Sequence, residues 1–490
     1  MSSLPNEIYP VAAVREIDRT AIEDEGIPGY QLMTRAGQAA VAAARRNCPD
    51  ATSWQIFCGA GNNAGDGYVV ARLAAEEGIA AAVVALVDPE KLTGDAATAY
   101  ADFAAGGGVV LEWSGEILGD VVFDGILGSG LERPVEGTFG EVVDAINASD
   151  AFVVALDIPT GLHGDSGAVL GTAIEADLTV TFVGLKTGLF VGEGPALIGE
   201  LEFAGLDVPE HCRDHGAAVM QRIDDDLIAR HLKPRPRNAH KGDFGHVLIV
   251  GGGPGMPGAA LLAGEAALRA GAGRVSLATH PDHSAVIAAR RPELMPHGIQ
   301  DAEELAALLD GADVVAFGPG LGRSDWAREL YEHVATSALP SVWDADALNL
   351  LADTPGENAN RIITPHPGEA GRLLGSSAAE VQRDRLKSVD ELRARYGGVA
   401  VLKGASSLVS AENGAPWVCT AGNPGMAAPG MGDALTGIVA AMLAQGLDLA
   451  TAARAGVLAH ARAGDLAARG GERGLIVSDL IAELRGVLNP

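Results

Sequence analysis

The segment GNPGMAAPGMGDALTGIVAAMLAQG carries the chain's clearest chemical signal. Gly430, Gly432 and Asp433 stand just before an amphipathic helical pattern, so the amides of its first turn face whatever the Asp433 carboxylate acts on. A GxGD turn of this kind can cradle a transferring phosphoryl group while the carboxylate polarises the attacking hydroxyl. Asp433 could also serve as a helix N-cap, and the two roles are compatible. A second glycine-rich turn, FCGAGNNAGDG, follows a predicted strand and opens a helix beginning near Asp66. Gly59, Gly61 and Gly65 permit close backbone approach, and the helix start offers amides to an anion. Asn62, Asn63 and Asp66 crowd polar side chains into that turn. DGILGSGLERP, with Asp124, and LDIPTGLHGD, with Asp157 and Thr160, bring polar groups to two further strand ends.

These turns need a scaffold that gathers strand ends at one rim. From Trp54 to about Asp207, the runs WQIFCG, AAVVALVD, VVFDGILG, FVVALDIPTG and DLTVTFVGL alternate with helical patterns, which predicts a parallel, doubly wound sheet. Residues 11–46 read as two leading helices broken at GIPG and covering that sheet. The pattern turns irregular between Ala217 and Arg237, ending in HLKPRPR, and a domain boundary is placed near residues 215–225. A second alternation follows through HVLIVGG, RVSLATH, VVAFGPG, SVWDAD, RIITPH and VAVLKG. The fold class is therefore α/β, with two doubly wound domains whose ligands sit beyond the carboxyl ends of the strands.

Composition agrees with two cores, since 490 residues exceed what one core usually organises. A net charge of −29 excludes nucleic acid and anionic membranes as partners, while a helix start can still hold an anionic metabolite locally. No basic region followed by an apolar run opens the chain and no apolar stretch is long enough to span a bilayer, so a soluble, cytoplasmic protein is expected. Cys48, Cys58, Cys212 and Cys419 show no metal-ligand spacing and read as reduced thiols.

GNNAGDG, DGILGSG and DIPTG, in this order, resemble the N-terminal epimerase domain of the NAD(P)H-hydrate repair family, a Rossmann-like domain, over residues 10–215. The resemblance implies a potassium ion (K+) on Asn63, Asp124 and Thr160, and oxygen ligands of this kind suit a hard cation. It also implies substrate contact at Asn62, Asn63, Ala64, Gly65 and Asp66, along Gly128, Ser129, Gly130, Leu131, Glu132, Arg133 and Pro134, and at Asp157. Epimerising a hydrated ring carbon needs a positioned acid–base group, for which Asp157 is the candidate. Its other reading is a cap on the turn through Thr160 and Gly161. Ala60 and Ala64 stand where the family usually has proline and glycine, and neither change removes a polar group.

HKGDFGHVLIVGGGPGMPGAALLAGEAALRAGAGRV, GPGLG, TPHPGEAGRLLG, VLKGASSLV and the GMGD turn together resemble the ADP/ATP-dependent NAD(P)H-hydrate dehydratase domain, which has a ribokinase-like fold, over residues 225–490. The resemblance implies contact with the hydrated cofactor at Ala260, Gly320 or Gly322, and His366, and adenine-nucleotide binding by Lys403, Gly404, Ala405, Ser406, Ser407 and Gly432, with Asp433 as base. ADP is the implied co-substrate over ATP, and a Mg2+ ion would bridge its phosphates. Lys403 could instead be a solvated surface lysine, and His366 a packed turn histidine. Pro429, Met431 and GMPGA depart from the family's usual residues. Two alternatives stay open: a ribokinase-like small-molecule kinase, and a dehydratase fused to a non-catalytic N-terminal binding module. The partners expected are NAD(P)H-hydrate and an adenine nucleotide, and a homo-oligomer is left open.

Overall fold

In the computed structural model, which describes residues 4–412 and 414–489, each β-rich run named above forms a strand. The chain divides into two units, one ending at Gln221 and the other beginning at Arg222.

The first unit holds a wholly parallel seven-stranded sheet in the order Val110–Leu111, Ala80–Ala85, Ser53–Cys58, Val121–Gly125, Phe152–Leu156, Leu178–Phe182, Glu200–Ala204. Its central strands are buried on both faces, which is why they read as continuous apolar runs. Strand order reverses between Ser53–Cys58 and Val121–Gly125, and a reversal of this kind opens a crevice at the carboxyl ends. The leading helices are Val11–Glu23 and Gly29–Asn47. Ala36, Ala40, Val41 and Ala44 of the second join Trp54, Ile56 and Leu178 of the sheet in one core.

The helix after the glycine-rich turn runs over Asn62–Glu76, so it starts four residues before the expected position near Asp66. Gly61 is its N-cap, and the Gly65 amide already donates to the Gly61 carbonyl at 3.2 Å. Gly65, inside this helix, is closely packed: a Cβ there would come within 2.6 Å of Met33 and 2.9 Å of the Ala96 backbone.

The second unit orders its strands as Met295–Gly298, Arg274–Thr279, His246–Val250, Val314–Phe317, Ser341–Trp343, Arg361–Ile363, Val399–Leu402, then Leu408–Ser410 and Trp417–Val418. The first seven are parallel and the last two antiparallel. Its reversal falls between His246–Val250 and Val314–Phe317, where the GGGPGMPG and GPGLG turns begin. The helices Pro257–Arg269 and Met431–Ala444 pack closely, and a Cβ on Gly437 would strike the carbonyl of Ala263. No helix among the described residues is long and apolar enough to cross a membrane. The four cysteines are free, and three of them are buried.

Candidate active sites

At the strand reversal of the first unit lies a cavity of ≈ 600 Å³, lined among others by Asn62, Asn63, Asp66, Gly128 to Arg133 and Asp157. Three residues expected at the substrate fall outside this lining. Ala64 is fully buried in the core, Gly65 abuts Met33, and Pro134 is exposed beyond the end of the lining turn. A helical first turn explains the first two, because it alternates cavity-facing and core-facing positions, whereas a loop could present all five residues.

Asp157 does not cap the turn after it. Its backbone sits at φ 69, which an aspartate tolerates better than most residues. Its Oδ1 instead pairs with the Lys186 ammonium and accepts from the Phe182 amide at 3.2 Å. Lys186 is almost wholly buried and donates also to Thr181 Oγ1 at 3.1 Å and the Phe182 carbonyl at 2.8 Å. Asp18, Asp66, Asp95 and Glu132 also line the cavity. Burial pushes Asp18 up to about 6, with Lys186 opposing and Asp157 adding to the rise. Burial also holds Asp66 well above the usual carboxylate range, and Asp157 and Asp18 reinforce it.

The turn-capping role belongs to Asp124. This fully buried carboxylate accepts from the Thr160 amide at 2.7 Å, the Thr160 hydroxyl at 2.6 Å and the Ile126 amide at 3.2 Å. Burial still pushes it up to about 6 against those hydrogen bonds. Nearby, Asn63 is 8% exposed and neither atom of its amide finds a hydrogen-bond partner among the described residues. A Cβ on Gly128 would lie 3.4 Å from Asn63, which places that amide against the Gly125–Gly128 turn. A buried carboxylate, a hydroxyl and an orphaned amide oxygen form a donor set that fits potassium.

In the second unit Asp433 is the third residue of the helix Met431–Ala444, not its cap; Gly430 takes that place at φ 89. A Cβ at Gly430 would crowd Leu262 and Val477, so glycine both makes the turn and lets the helix start approach its neighbours. Burial, reinforced by Asp344, pushes Asp433 up to about 6. Asp344 is 1% exposed and binds Lys403 Nζ at 2.6 Å through one oxygen and the Thr436 hydroxyl at 3.0 Å through the other. Glu369 lies 3.8 Å from the same ammonium. Burial works against the Lys403 charge, yet Asp344, Glu369 and Asp433 together hold it above the ordinary lysine range.

Lys403 therefore points inward. Neither a surface lysine nor an ammonium on the outer face of KGASS fits, because the buried carboxylates attract it more than water does. The loop itself is shaped by Arg385, whose buried guanidinium donates to the carbonyls of Ser406 at 3.0 Å and of Leu402 and Lys403 at 3.3 Å. Gly404 and Ala405 are exposed, and the Ser407 hydroxyl donates to the Gly404 carbonyl at 3.3 Å. Gly432 stands beside the ion pair, where a Cβ would lie 3.2 Å from both Asp344 Oδ2 and Lys403 Nζ.

His366 is the N-cap of the helix Pro367–Leu374: its Nδ1 accepts from the Gly368 amide at 3.0 Å, and Glu369 closes the box on the His366 amide at 2.8 Å. The ring's Nε2 lies 3.5 Å from Glu369 Oε1, on a half-exposed side chain. The Gly322 amide donates to Asp346 at 2.8 Å, and Asp346 raises Asp433 in turn, so the GPGLG turn and the GMGD turn share one carboxylate neighbourhood. Ala260 is fully buried, 3.0 Å from the place of a Cβ on Gly252, so its methyl packs the glycine-rich turn from below.

Asp18, Lys186, Asp344, Asp346, Glu369 and Thr436 were not singled out from sequence. Asp344 and Asp346 end the SVWDAD strand run and Glu369 sits inside TPHPGEAG, so position at a strand end was their available signal. Lys186 and Asp18 offered none beyond charge.

A family model described as "NAD(P)H-hydrate dehydratase" matches residues 247–485, and one described as "YjeF-related protein N-terminus" matches residues 29–188. The chain is 46% identical over 486 residues to the bifunctional NAD(P)H-hydrate repair enzyme of Coxiella burnetii, covering 99% of each chain. It is 43% identical to the enzyme of the same name from Escherichia coli, covering 100% of this chain and 95% of that one. A crystal structure of a ribokinase-like superfamily protein from Enterococcus faecalis superposes with a TM-score of 0.52 at 28% identity, over 55% of this chain and 95% of that chain. With near-complete coverage by relatives 46% and 43% identical to it, the chain belongs to the bifunctional NAD(P)H-hydrate repair enzymes.

Proposed function

We propose that the first unit interconverts the two epimers of NAD(P)H-hydrate and that the second dehydrates the S form to NAD(P)H at the expense of an adenine nucleotide, ADP by preference, in the cytoplasm. The observation that carries this reading is Asp433 on the first turn of a helix, raised by burial to about 6 and set beside the Lys403–Asp344 pair.

Asp433 takes the proton of the ring hydroxyl as its oxygen attacks the terminal phosphoryl group of the nucleotide. Amides of the helix start at Gly432 stabilise the charge that develops on that group. The outer rim of the Lys403–Ser407 loop supplies amides and the Ser407 hydroxyl to the remaining phosphates, and Lys403 adds positive potential from within. Loss of phosphate then leaves an iminium that sheds a ring proton to restore the dihydropyridine, because phosphate departs far more readily than hydroxide. Magnesium, if bound, would neutralise phosphate charge. His366 Nε2 and the Gly320–Gly322 turn would face the hydrated ring.

In the first unit, Asp157 is the acid–base group and Lys186 fixes its orientation. Asn62, Asn63, Asp66 and the Gly128–Arg133 turn hold the substrate. Potassium, when held by Asn63, Asp124 and Thr160, balances the buried carboxylate and fixes the turns that bear the substrate contacts.

The test follows a mixture of both hydrate epimers with nucleotide and magnesium by dihydropyridine absorbance and phosphate release. Full recovery of NADH with one phosphate per cofactor is expected. A stable phosphorylated product would make the second unit a kinase, and recovery that stops when the S form is spent would make the first unit a binding module.

A further inference from the structure

Inverting a carbon that bears a hydroxyl, by loss and re-addition of water, needs two proton carriers. One gives a proton to the departing hydroxyl, and the other takes a proton from the water that arrives on the opposite face. Asp157 supplies one carrier, so the second belongs among the groups lining the same cavity.

The helix Val11–Glu23 brings one there. Val14, Asp18 and Ile22 recur every four residues and all three line the cavity, so a single face of this helix forms its wall. The helix is anchored beside Lys186: Ile8 pairs with Leu185 and Tyr9 with Lys186 in a short parallel bridge, Thr187 Oγ1 donates to the Tyr9 carbonyl at 3.0 Å, and the Val11 amide donates to Asp165 at 2.6 Å. Glu16 and Glu23 of the same helix pair with Arg19 on the surface. Asp18 alone of its acidic residues lines the cavity, and its carboxyl makes no hydrogen bond among the described residues. Lys186 is paired with Asp157, and Asp18 forms no ion pair of its own among the described residues.

We propose that Asp18 is the second acid–base residue of the epimerisation, working with Asp157 in the same cavity. The inference rests on the reading of the first unit as an epimerase. In the forward direction the Asp18 carboxyl gives its proton to the ring hydroxyl. The C–O bond breaks, the lone pair of the ring nitrogen forms the C=N bond of a cyclic iminium, and water leaves. Water on the other face adds its oxygen to that carbon, the C=N π pair returns to nitrogen, and Asp157 takes the released proton. The reverse epimerisation exchanges the two roles, and no further co-reactant is required.

A protonated Asp18 beside a salt-bridged Asp157 is the charge state this cycle needs, and a carboxyl raised to about 6 can still change state near neutrality. Asp66 stands on the first turns of the helix Asn62–Glu76 among the expected substrate contacts and is likewise raised by burial.

The test uses the full-length protein and the R epimer, with dehydration of the S epimer as an internal control of folding. Asp18→Asn is expected to slow epimerisation by roughly 10²-fold or more with KM unchanged and S dehydration intact. Asp18→Ala is expected to lose epimerisation likewise and to recover it when formate is added. Native-rate epimerisation by Asp18→Asn, or a loss in both variants that formate does not restore, overturns the proposal. Failure of the unaltered protein to epimerise would instead sink the reading of the first unit on which this one depends.

Discussion

Replacing Lys403 with methionine keeps most of the side-chain volume and removes the ammonium paired with Asp344 inside the second site. Its ammonium lies 2.6 Å from Asp344 and 3.8 Å from Glu369, with Asp344 1% exposed. At an effective dielectric of about 20 those distances correspond to gross attractions of about 6 and about 4 kcal/mol. Desolvation offsets much of this, and the net cost of leaving buried carboxylates without their partner is about 3–5 kcal/mol. For a unit of this size that lowers the melting temperature by about 10 °C. Glu369 is raised to about 7, so its protonated form favours the fold and that contribution is lost as pH rises through 7. Without Lys403, Glu369 and Asp433 rise further, and the deficit of Lys403→Met is therefore largest above neutrality and shrinks in acid. Adding Asp344→Asn to Lys403→Met should recover part of the loss, because the second change removes the charge the first left unpaired. Thermal unfolding of the four forms across pH measures this coupling. A Lys403→Met protein as stable as the native one at alkaline pH, or losses that simply add in the double variant, would refute a buried charge network at this site.

Other outcomes follow from the same geometry. Dehydration should fall as pH drops through about 6, where Asp433 takes up a proton and stops acting as a base; a pH–rate profile of kcat checks it. Potassium chloride at constant ionic strength should raise the melting temperature of the first unit, by about 2.7 kcal/mol of stability at a hundredfold excess over Kd. Asp124→Asn should abolish that shift, and an equal shift in both proteins would contradict the cation site. Gly437→Ala should destabilise by about 1–3 kcal/mol through its clash with the Ala263 carbonyl, despite the better helix propensity of alanine. Denaturant midpoints decide its sign.

The strands were legible because parallel sheets buried on both faces leave apolar runs punctuated by turn residues, as in FVVALDIPTG. Asp157 and Asp433 were legible because each ends or follows such a punctuation. Less could be read where a side chain's direction decides its role. Lys403 follows the strand Val399–Leu402 and looks like a phosphate ligand in sequence, but the side chain turns back to Asp344, 59 residues away. His366 between two prolines gave no hint that Glu369 closes a capping box on it. Asp18 reads as one more charge on an amphipathic helix, since a linear sequence shows the polar residues of that helix without showing which of them looks into a cavity.

The claim that two separate carboxylates run two separate reactions is tested most directly by following both activities in Asp433→Ala and Asp157→Ala. Asp433→Ala should lose nucleotide-dependent dehydration and still equilibrate the epimers, while Asp157→Ala should dehydrate the S form and leave the R form untouched. A folded protein in which either single change removes both activities, or neither, would contradict it.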